Sequence, residues 1–350
     1  MDSFNLFYKN TKADIEKSMT LYNQEMLDED IAEIREALSL FTELNSGGKY
    51  LRGVLVALGY KAMGGNDDKY MSLALAIEVF QTAILIHDDI IDNASQRRGK
   101  KTVPASYREM YDDKNDINFI RKRDNYANSM AIVIADIGLY RAADLINRSY
   151  HDDGRVLELY HKITLNTMKG ELLDVELPFK EEFYGGSLTL EDKVLAIYKM
   201  KTSYYSIVGP FILGMALGGA SSDKIKTMED ILMSTGIAYQ IKDDILGIYG
   251  DEGYIGKTNS DIEEYKQTIL YAYTMGTEYK GELEKVYGKI GTTAEVREIF
   301  RKCGALKYAE DMMIRLFDVT LGKLDGTDFL DDECKRILKG FIKYLSERTK

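Results

Sequence analysis

The chain has 350 residues, 45% of them hydrophobic, and a formal net charge of −11. That size suits one large helical domain with a substantial core, and the acidic balance argues against nucleic-acid binding. Three prolines leave long helices possible, and two cysteines, Cys303 and Cys334, exclude a disulfide framework or a cysteine metal site and suit a reducing cytoplasm.

The N-terminal stretch has no apolar signal core, and no apolar run reaches the roughly eighteen residues that suggest a membrane span. A cytoplasmic chain without a membrane span is therefore expected. In chain order, Ile31, Ile34, Ala37, Leu38 and Phe41 recur at helical spacing and make one apolar stripe. Glycines at Ser46-Gly47-Gly48 and Gly64-Gly65-Asn66 predict breaks. Met71–Ile91 reads as one long, nearly all-apolar helix buried at the centre. The polar stretch 111–125 reads as a loop or a short exposed helix. Further breaks are expected at Tyr184-Gly185-Gly186 and at 322–327. Thr189 with Asp192, and Thr292 with Glu295, read as capping boxes. Strand alternation is absent, so residues 1–350 are expected to form one all-α domain of about ten or more helices around a central cavity.

Chemistry concentrates at two helix ends. His87-Asp88-Asp89-Ile90-Ile91-Asp92 closes the apolar helix, with Asp88 and Asp92 one turn apart on one face. Two carboxylates at the negative end of a helix dipole repel each other, and a shared cation relieves this. All-oxygen donors favour Mg²⁺, which keeps waters and shares substrate phosphates. A solvated acidic turn would match the same letters. The following Arg97-Arg98-Gly99-Lys100-Lys101 favours the functional reading, because paired guanidiniums fork onto phosphate oxygens. Tyr239-Gln240-Ile241-Lys242-Asp243-Asp244 ends a second helix and precedes Lys257 and Lys266, again acids before cations. Lys49, Arg52 and Lys201-Thr202 are further phosphate-binding candidates, each alone compatible with ordinary surface charge.

Together GGKYLRG (47–53), QTAILIHDDIIDNASQRRGK (81–100), GELLDVE (170–176), KT (201–202) and YQIKDDILGIYGDEGYIGKTNSDIEEYKQT (239–268) resemble the trans-isoprenyl diphosphate synthase, or polyprenyl synthetase, family. The resemblance implies an isoprenoid-synthase fold, a homodimer, and magnesium-dependent condensation of isopentenyl diphosphate with an allylic diphosphate. It implies that Asp88, Asp92 and Asp243 hold Mg²⁺. Arg97, Lys201, Thr202, Gln240, Lys257 and Lys266 would bind the allylic diphosphate. Lys49, Arg52, Gln81 and Arg98 would bind isopentenyl diphosphate. Asp89, Asp174 and Asp244 would support them, and His87 is read as a supporting hydrogen bonder. Four positions depart from the family pattern. Tyr50 and Gly53 replace an arginine and a proline of GGKRxRP, Glu171 stands where glutamine is common, and Gly247 occupies the third carboxylate position of the second acidic motif.

Two other readings share parts of this pattern. A terpene cyclase or head-to-head condensing enzyme has the same metal logic, but the Lys49/Arg52 segment and Arg97-Arg98 suit a second diphosphate substrate. A non-catalytic prenyl-diphosphate-binding subunit usually lacks one acidic cluster, and both persist here.

In the family, a bulky aromatic five residues before the first Asp halts elongation early; here that residue is the small Ala83. Phe80 lies within roughly 80° of Asp88 around the helix, and three residues rise about 4.5 Å, close to one isoprene unit. The expected product is therefore one unit longer than farnesyl, that is geranylgeranyl diphosphate, unless Phe80 is a core aromatic facing a neighbouring helix. Phe80→Ala should lengthen the product in a chain-length assay; an unchanged product would remove Phe80 as the limiting side chain.

Overall fold

A computed structural model describes residues 3–97, 99–110, 117–150, 152–180, 188–250 and 260–347. They form an all-α fold. The first four helices are α1 (Ser3–Met26), α2 (Ala32–Asn45), α3 (Leu51–Ala62) and α4 (Met71–Ile91). Among the described residues strand is confined to β1 (Gln96–Arg97) and β2 (Lys100–Lys101), antiparallel with Arg97 opposite Lys100. Then come α5 (Val103–Glu109), α6 (Ile117–Tyr150), α7 (Gly154–Glu176) and α8 (Leu190–Ile197), which runs into a π-helix over Tyr198–Val208. The chain continues through α9 (Gly209–Leu217) and α10 (Ser222–Tyr249). After the short α11 (Ser260–Glu263), α12 (Ile269–Met275) and α13 (Lys280–Val286), it ends in α14 (Thr293–Lys302), α15 (Ala305–Asp325) and α16 (Asp332–Glu347).

The apolar helix takes the expected span and the central place, because it is apolar on nearly every side. From Leu73 to Phe80 every side chain of α4 is buried. It packs on α6, α3, α2 and α1, while α3 packs on α9, and the π-helix lies between α7 and α10. α15 closes the far side of α10, and α16 lies along α1. No helix among the described residues is long and apolar enough to cross a membrane.

Local differences from the sequence reading have physical causes. Ala37, Leu38 and Phe41 are buried, but Ile31 and Ile34 are exposed, because α2 meets α4 and α6 only in its second half. Residues 117–125 belong to the long α6 rather than to a short exposed helix, whereas 111–116 and the expected break at 184–186 lie outside the described residues. Gly322 stays inside α15, and that helix stops at Gly326. Thr189 and Asp192 make the expected capping box. Thr292 is an N-cap without that bond; its hydroxyl donates backward to the carbonyls of Val286 (2.7 Å) and Lys289 (2.8 Å). The preceding turn, with Gly288 and Gly291 at positive φ, presents those acceptors.

A buried polar clamp sets the turn between α2 and α3. Asn45 donates to Asn23 Oδ1 (2.9 Å) and accepts from Thr82 Oγ1 (2.8 Å), and its carbonyl accepts from the Tyr50 hydroxyl at 2.9 Å. Tyr50 adopts a left-handed conformation with φ 50. Tyr8 of α1 donates to the Lys49 carbonyl at 2.9 Å. The Gly53 N–H donates to the buried Glu78 carboxylate at 2.8 Å, a bond proline cannot make. Gly53→Pro should therefore cost about 2–3 kcal/mol in denaturant unfolding, the value of a hydrogen bond to a charged group. Gly53→Ala keeps the donor and meets only the Ile15 methyl at 2.9 Å, so it should cost less. Equal losses in the two variants would contradict this account.

Candidate active site

The first wall is the C-terminal end of α4. Asp88 and Asp92 share one half-buried face, and the Asp92 N–H donates to the Asp88 carbonyl at 2.8 Å. Asp89 turns the other way and is fully buried. The β1–β2 hairpin folds Arg97 back onto it, so that Nε and Nη2 both donate to Asp89 Oδ1 at 2.8 Å. That pairing leaves both N–H groups of Nη1 and the second N–H of Nη2 beyond the bonds to Asp89. His87 Nε2 lies 3.3 Å from Asp136 Oδ1 on α6, which ties the helix end to its neighbour.

The second wall combines α7, the π-helix and α10. A widened helix is rare and clusters at functional sites; here it carries Lys201 and Thr202. Gly170 on α7 permits the close approach, since a Cβ there would stand 2.8 Å from Lys201 Cα. Lys201 Nζ then reaches Asp174 (2.6 Å) and Glu171 (2.7 Å). Burial alone would lower the Lys201 pKa, but Asp174, Asp88 and Glu171 together hold it above the ordinary lysine value. Asp88 of the first wall is thus within the field of the second. Thr202 donates to Gln240 Oε1, and Gln240 Nε2 donates to Asp244 Oδ1 at 2.8 Å. Asp244 also accepts from the Tyr198 hydroxyl. Burial raises the Asp244 pKa well above the ordinary carboxylate value, although both hydrogen bonds oppose the shift.

Lys266 joins the walls. Its ammonium lies 3.4 Å from Asp92, 3.5 Å from Asp261 and 3.0 Å from Glu264. Asp261 in turn sits against α10, where a Cβ added at Gly247 would collide with Asp261 Oδ2. Gly247 lies one turn beyond Asp243 on α10, as Asp92 lies one turn beyond Asp88 on α4. The two acidic helix ends therefore converge on one hollow, and Asp261 fills the space of the carboxylate absent at 247.

On the floor, Arg52 stacks over the Tyr205 ring at 4.4 Å and donates to Ser206 Oγ at 2.6 Å. Its buried Nε and the buried Oε1 of Gln81 have no hydrogen-bond partner among the described residues, so each remains able to bind a ligand or water. Phe80 packs edge-on against Tyr205, with ring centroids 5.5 Å apart. Ala83 faces α6, where Gly138 leaves room for the Phe41 ring beside it. Lys49 sits in the clamped turn. Arg98 and Lys257 lie outside the described residues.

Among the described residues no three of His, Cys, Asp or Glu form a ready-made metal cage. The donor set nonetheless fits a hard divalent ion. Asp92, Asp261 and Glu264 surround one ammonium, and Glu171 and Asp174 surround another. With Asp88 and Asp243 added, these described acids outnumber Lys201 and Lys266, a donor set suited to added divalent charge. Sequence reading did not single out Tyr198 or Asp261 individually. For Asp261 a signal existed: glycine at an expected carboxylate position implies that another group fills the space.

Residues 34–303 match the family model described as polyprenyl synthetase. A short chain isoprenyl diphosphate synthase of Methanothermobacter thermautotrophicus is 30% identical, covering 81% of this chain and 84% of the relative. A farnesyl pyrophosphate synthase of Candida albicans is 29% identical, with 87% and 86% covered. Among solved structures, geranylgeranyl pyrophosphate synthase from Corynebacterium glutamicum, complexed with isoprenyl diphosphate and magnesium, superimposes with a TM-score of 0.86 at 24% identity, covering 99% of each chain.

Burial raises the Glu171 carboxyl to about 7 and Lys201 opposes the shift, so the folded protein binds this proton more tightly than the unfolded chain. That contribution favours folding at low pH and is lost as pH rises toward 7. Glu171→Gln should therefore be more stable than the parent at pH 8 in metal-free buffer, and the gap should shrink toward pH 5. A gap in thermal midpoint that does not change with pH would contradict the assignment.

Proposed function

The chain belongs to the polyprenyl synthetase family and is a prenyltransferase, and on that premise we propose that it joins isopentenyl diphosphate head-to-tail to an allylic diphosphate with Mg²⁺, releasing a linear trans-polyprenyl diphosphate. The observation that carries this reading is the Lys266 ammonium bridging Asp92 and Asp261, which brings both acidic helix ends to one hollow.

Asp88 and Asp92 on one side, and Asp243 with Asp261 near it on the other, are the groups that would hold Mg²⁺. Bound there, the metal would neutralise the diphosphate oxygens as the allylic C–O bond breaks. Lys201, Thr202, Gln240 and Lys266 face the same hollow and hold the allylic diphosphate, with Arg97 and Lys257 assigned beside them. Their charges stabilise the departing diphosphate. Lys49, Arg52, Gln81 and Arg98 hold isopentenyl diphosphate; for this subsite the open hydrogen-bonding capacity of Arg52 Nε and Gln81 Oε1 is the support. The apolar body of α4 excludes water from the allylic cation until the second double bond attacks. The proton lost in the last step passes to the released diphosphate.

Geranylgeranyl diphosphate is the proposed product, supported by the small Ala83. Relatives of other chain lengths match this chain as well, and Phe80 packs on Tyr205 at the floor. The second reading is therefore the same reaction stopping at another length. A homodimer is proposed on the exposed apolar side chains Val133 and Tyr140 of α6 with Leu165 and Leu172 of α7.

Purified protein given isopentenyl diphosphate, an allylic diphosphate and Mg²⁺ should form a longer prenyl diphosphate without any added partner. Asp92→Asn should lower kcat by a factor on the order of 100 or more. Turnover that survives removal of divalent cations, or a variant within a factor of about three of the parent, would contradict the reading.

A further inference from the structure

Tyr198 begins the π-helix and is buried between α10 and the start of α12. Its phenolic oxygen accepts the Ile269 N–H at 2.9 Å. A backbone N–H can only donate, so the phenol's own proton is directed elsewhere, and it goes to Asp244 Oδ2. The other oxygen, Oδ1, accepts from Gln240 Nε2 at 2.8 Å. With its amide nitrogen turned to Asp244, Gln240 presents Oε1 to Thr202, whose hydroxyl donates to it. With both Asp244 oxygens accepting, each donor and acceptor in this chain agrees with the one before, beginning at an amide whose direction cannot change. Thr202 and Gln240 thereby reach the hollow in one hydrogen-bonding orientation: Thr202 offers lone pairs, and Gln240 keeps one N–H beyond the bond to Asp244.

We propose that Tyr198 is a positioning residue for the allylic diphosphate, acting through Asp244 to orient Gln240 and Thr202. The proposal rests on the prenyltransferase reading above and deepens it. Among the described side chains Tyr198 is the donor to Asp244 Oδ2, so loss of the phenol leaves a buried carboxylate oxygen without its donor and frees the Gln240 amide to turn. The isopentenyl diphosphate side does not share this chain: Arg52 is braced by Ser206 and Tyr205. A selective effect on one of two substrates is therefore expected, which a general loss of packing would not produce.

The test is steady-state kinetics of Tyr198→Phe with each diphosphate varied in turn, together with a thermal midpoint. The expected result is an allylic KM about tenfold higher, an isopentenyl diphosphate KM within twofold of the parent, and a nearly unchanged midpoint. In a Gln240→Met background the same change should add less than twofold to the allylic KM, because the group through which Tyr198 acts is gone. Unchanged allylic KM, equal rises for both substrates, or full additivity with Gln240→Met overturns the proposal. If Tyr198→Phe does not fold, Asp244→Asn carries the test, since the amide oxygen of asparagine replaces only one of the two acceptors that Tyr198 and Gln240 use. An allylic-selective loss there supports the chain, and an unchanged allylic KM overturns it. A parent protein that turns over no allylic diphosphate would instead defeat the prenyltransferase reading itself, so the two failures are distinguishable.

Discussion

Carboxylates gathered near the C-terminal parts of two helices repel one another, and at the end of α4 the helix dipole adds to the cost. Asp88 and Asp92 on α4 are tied to α10 through Lys266, which reaches Asp92 and Asp261, and Asp261 lies against Gly247 one turn beyond Asp243. Lys266 between Asp92 and Asp261, and Lys201 between Asp174 and Glu171, are the counter-charges that make this convergence tolerable. They do not outnumber the acids. The proposed binding of divalent cations and, through them, of diphosphate rests on that imbalance.

The surrounding architecture serves that juxtaposition. α4 is long and apolar enough to act as a central post, with its acidic end at the mouth of the hollow. The π-helix widens the backbone at Lys201 and Thr202, and Gly170 lets α7 approach closely enough for Asp174 and Glu171 to meet the lysine. Gly247 leaves space on α10 for Asp261, so a carboxylate missing from the helix is supplied by the segment that follows it. Tyr50 and Gly53 are equally local in their effect. The tyrosine hydroxyl and the glycine N–H both satisfy buried acceptors beneath the turn that bears Lys49.

Much of the fold was readable because its signals are local and repeated. The nearly all-apolar run predicted α4 to the residue, and the glycine pairs marked the ends of α2 and α3. Charge order alone suggested that two acidic helix ends belong to one site. What escaped depends on contacts across the fold. Thr292 looks like a capping-box residue until the neighbouring carbonyls of Val286 and Lys289 compete for its hydroxyl. The break read over 322–327 is present, but packing along α10 carries α15 past Gly322 and places the helix end at Asp325. Tyr198 is one of 25 tyrosines, and nothing in its sequence neighbourhood marks it as the donor to Asp244. Phe80 could be placed on α4 by counting, but its contact with Tyr205 is a property of packing between α4 and the π-helix.

Calorimetric titration of inorganic pyrophosphate into the protein, with and without Mg²⁺, addresses the central claim most directly. An acid-rich hollow held together by Lys201 and Lys266 should bind pyrophosphate only when Mg²⁺ is present, and chelation should release it. Binding of equal strength without a divalent cation would show that the acidic walls do not face the diphosphate, and would contradict the account.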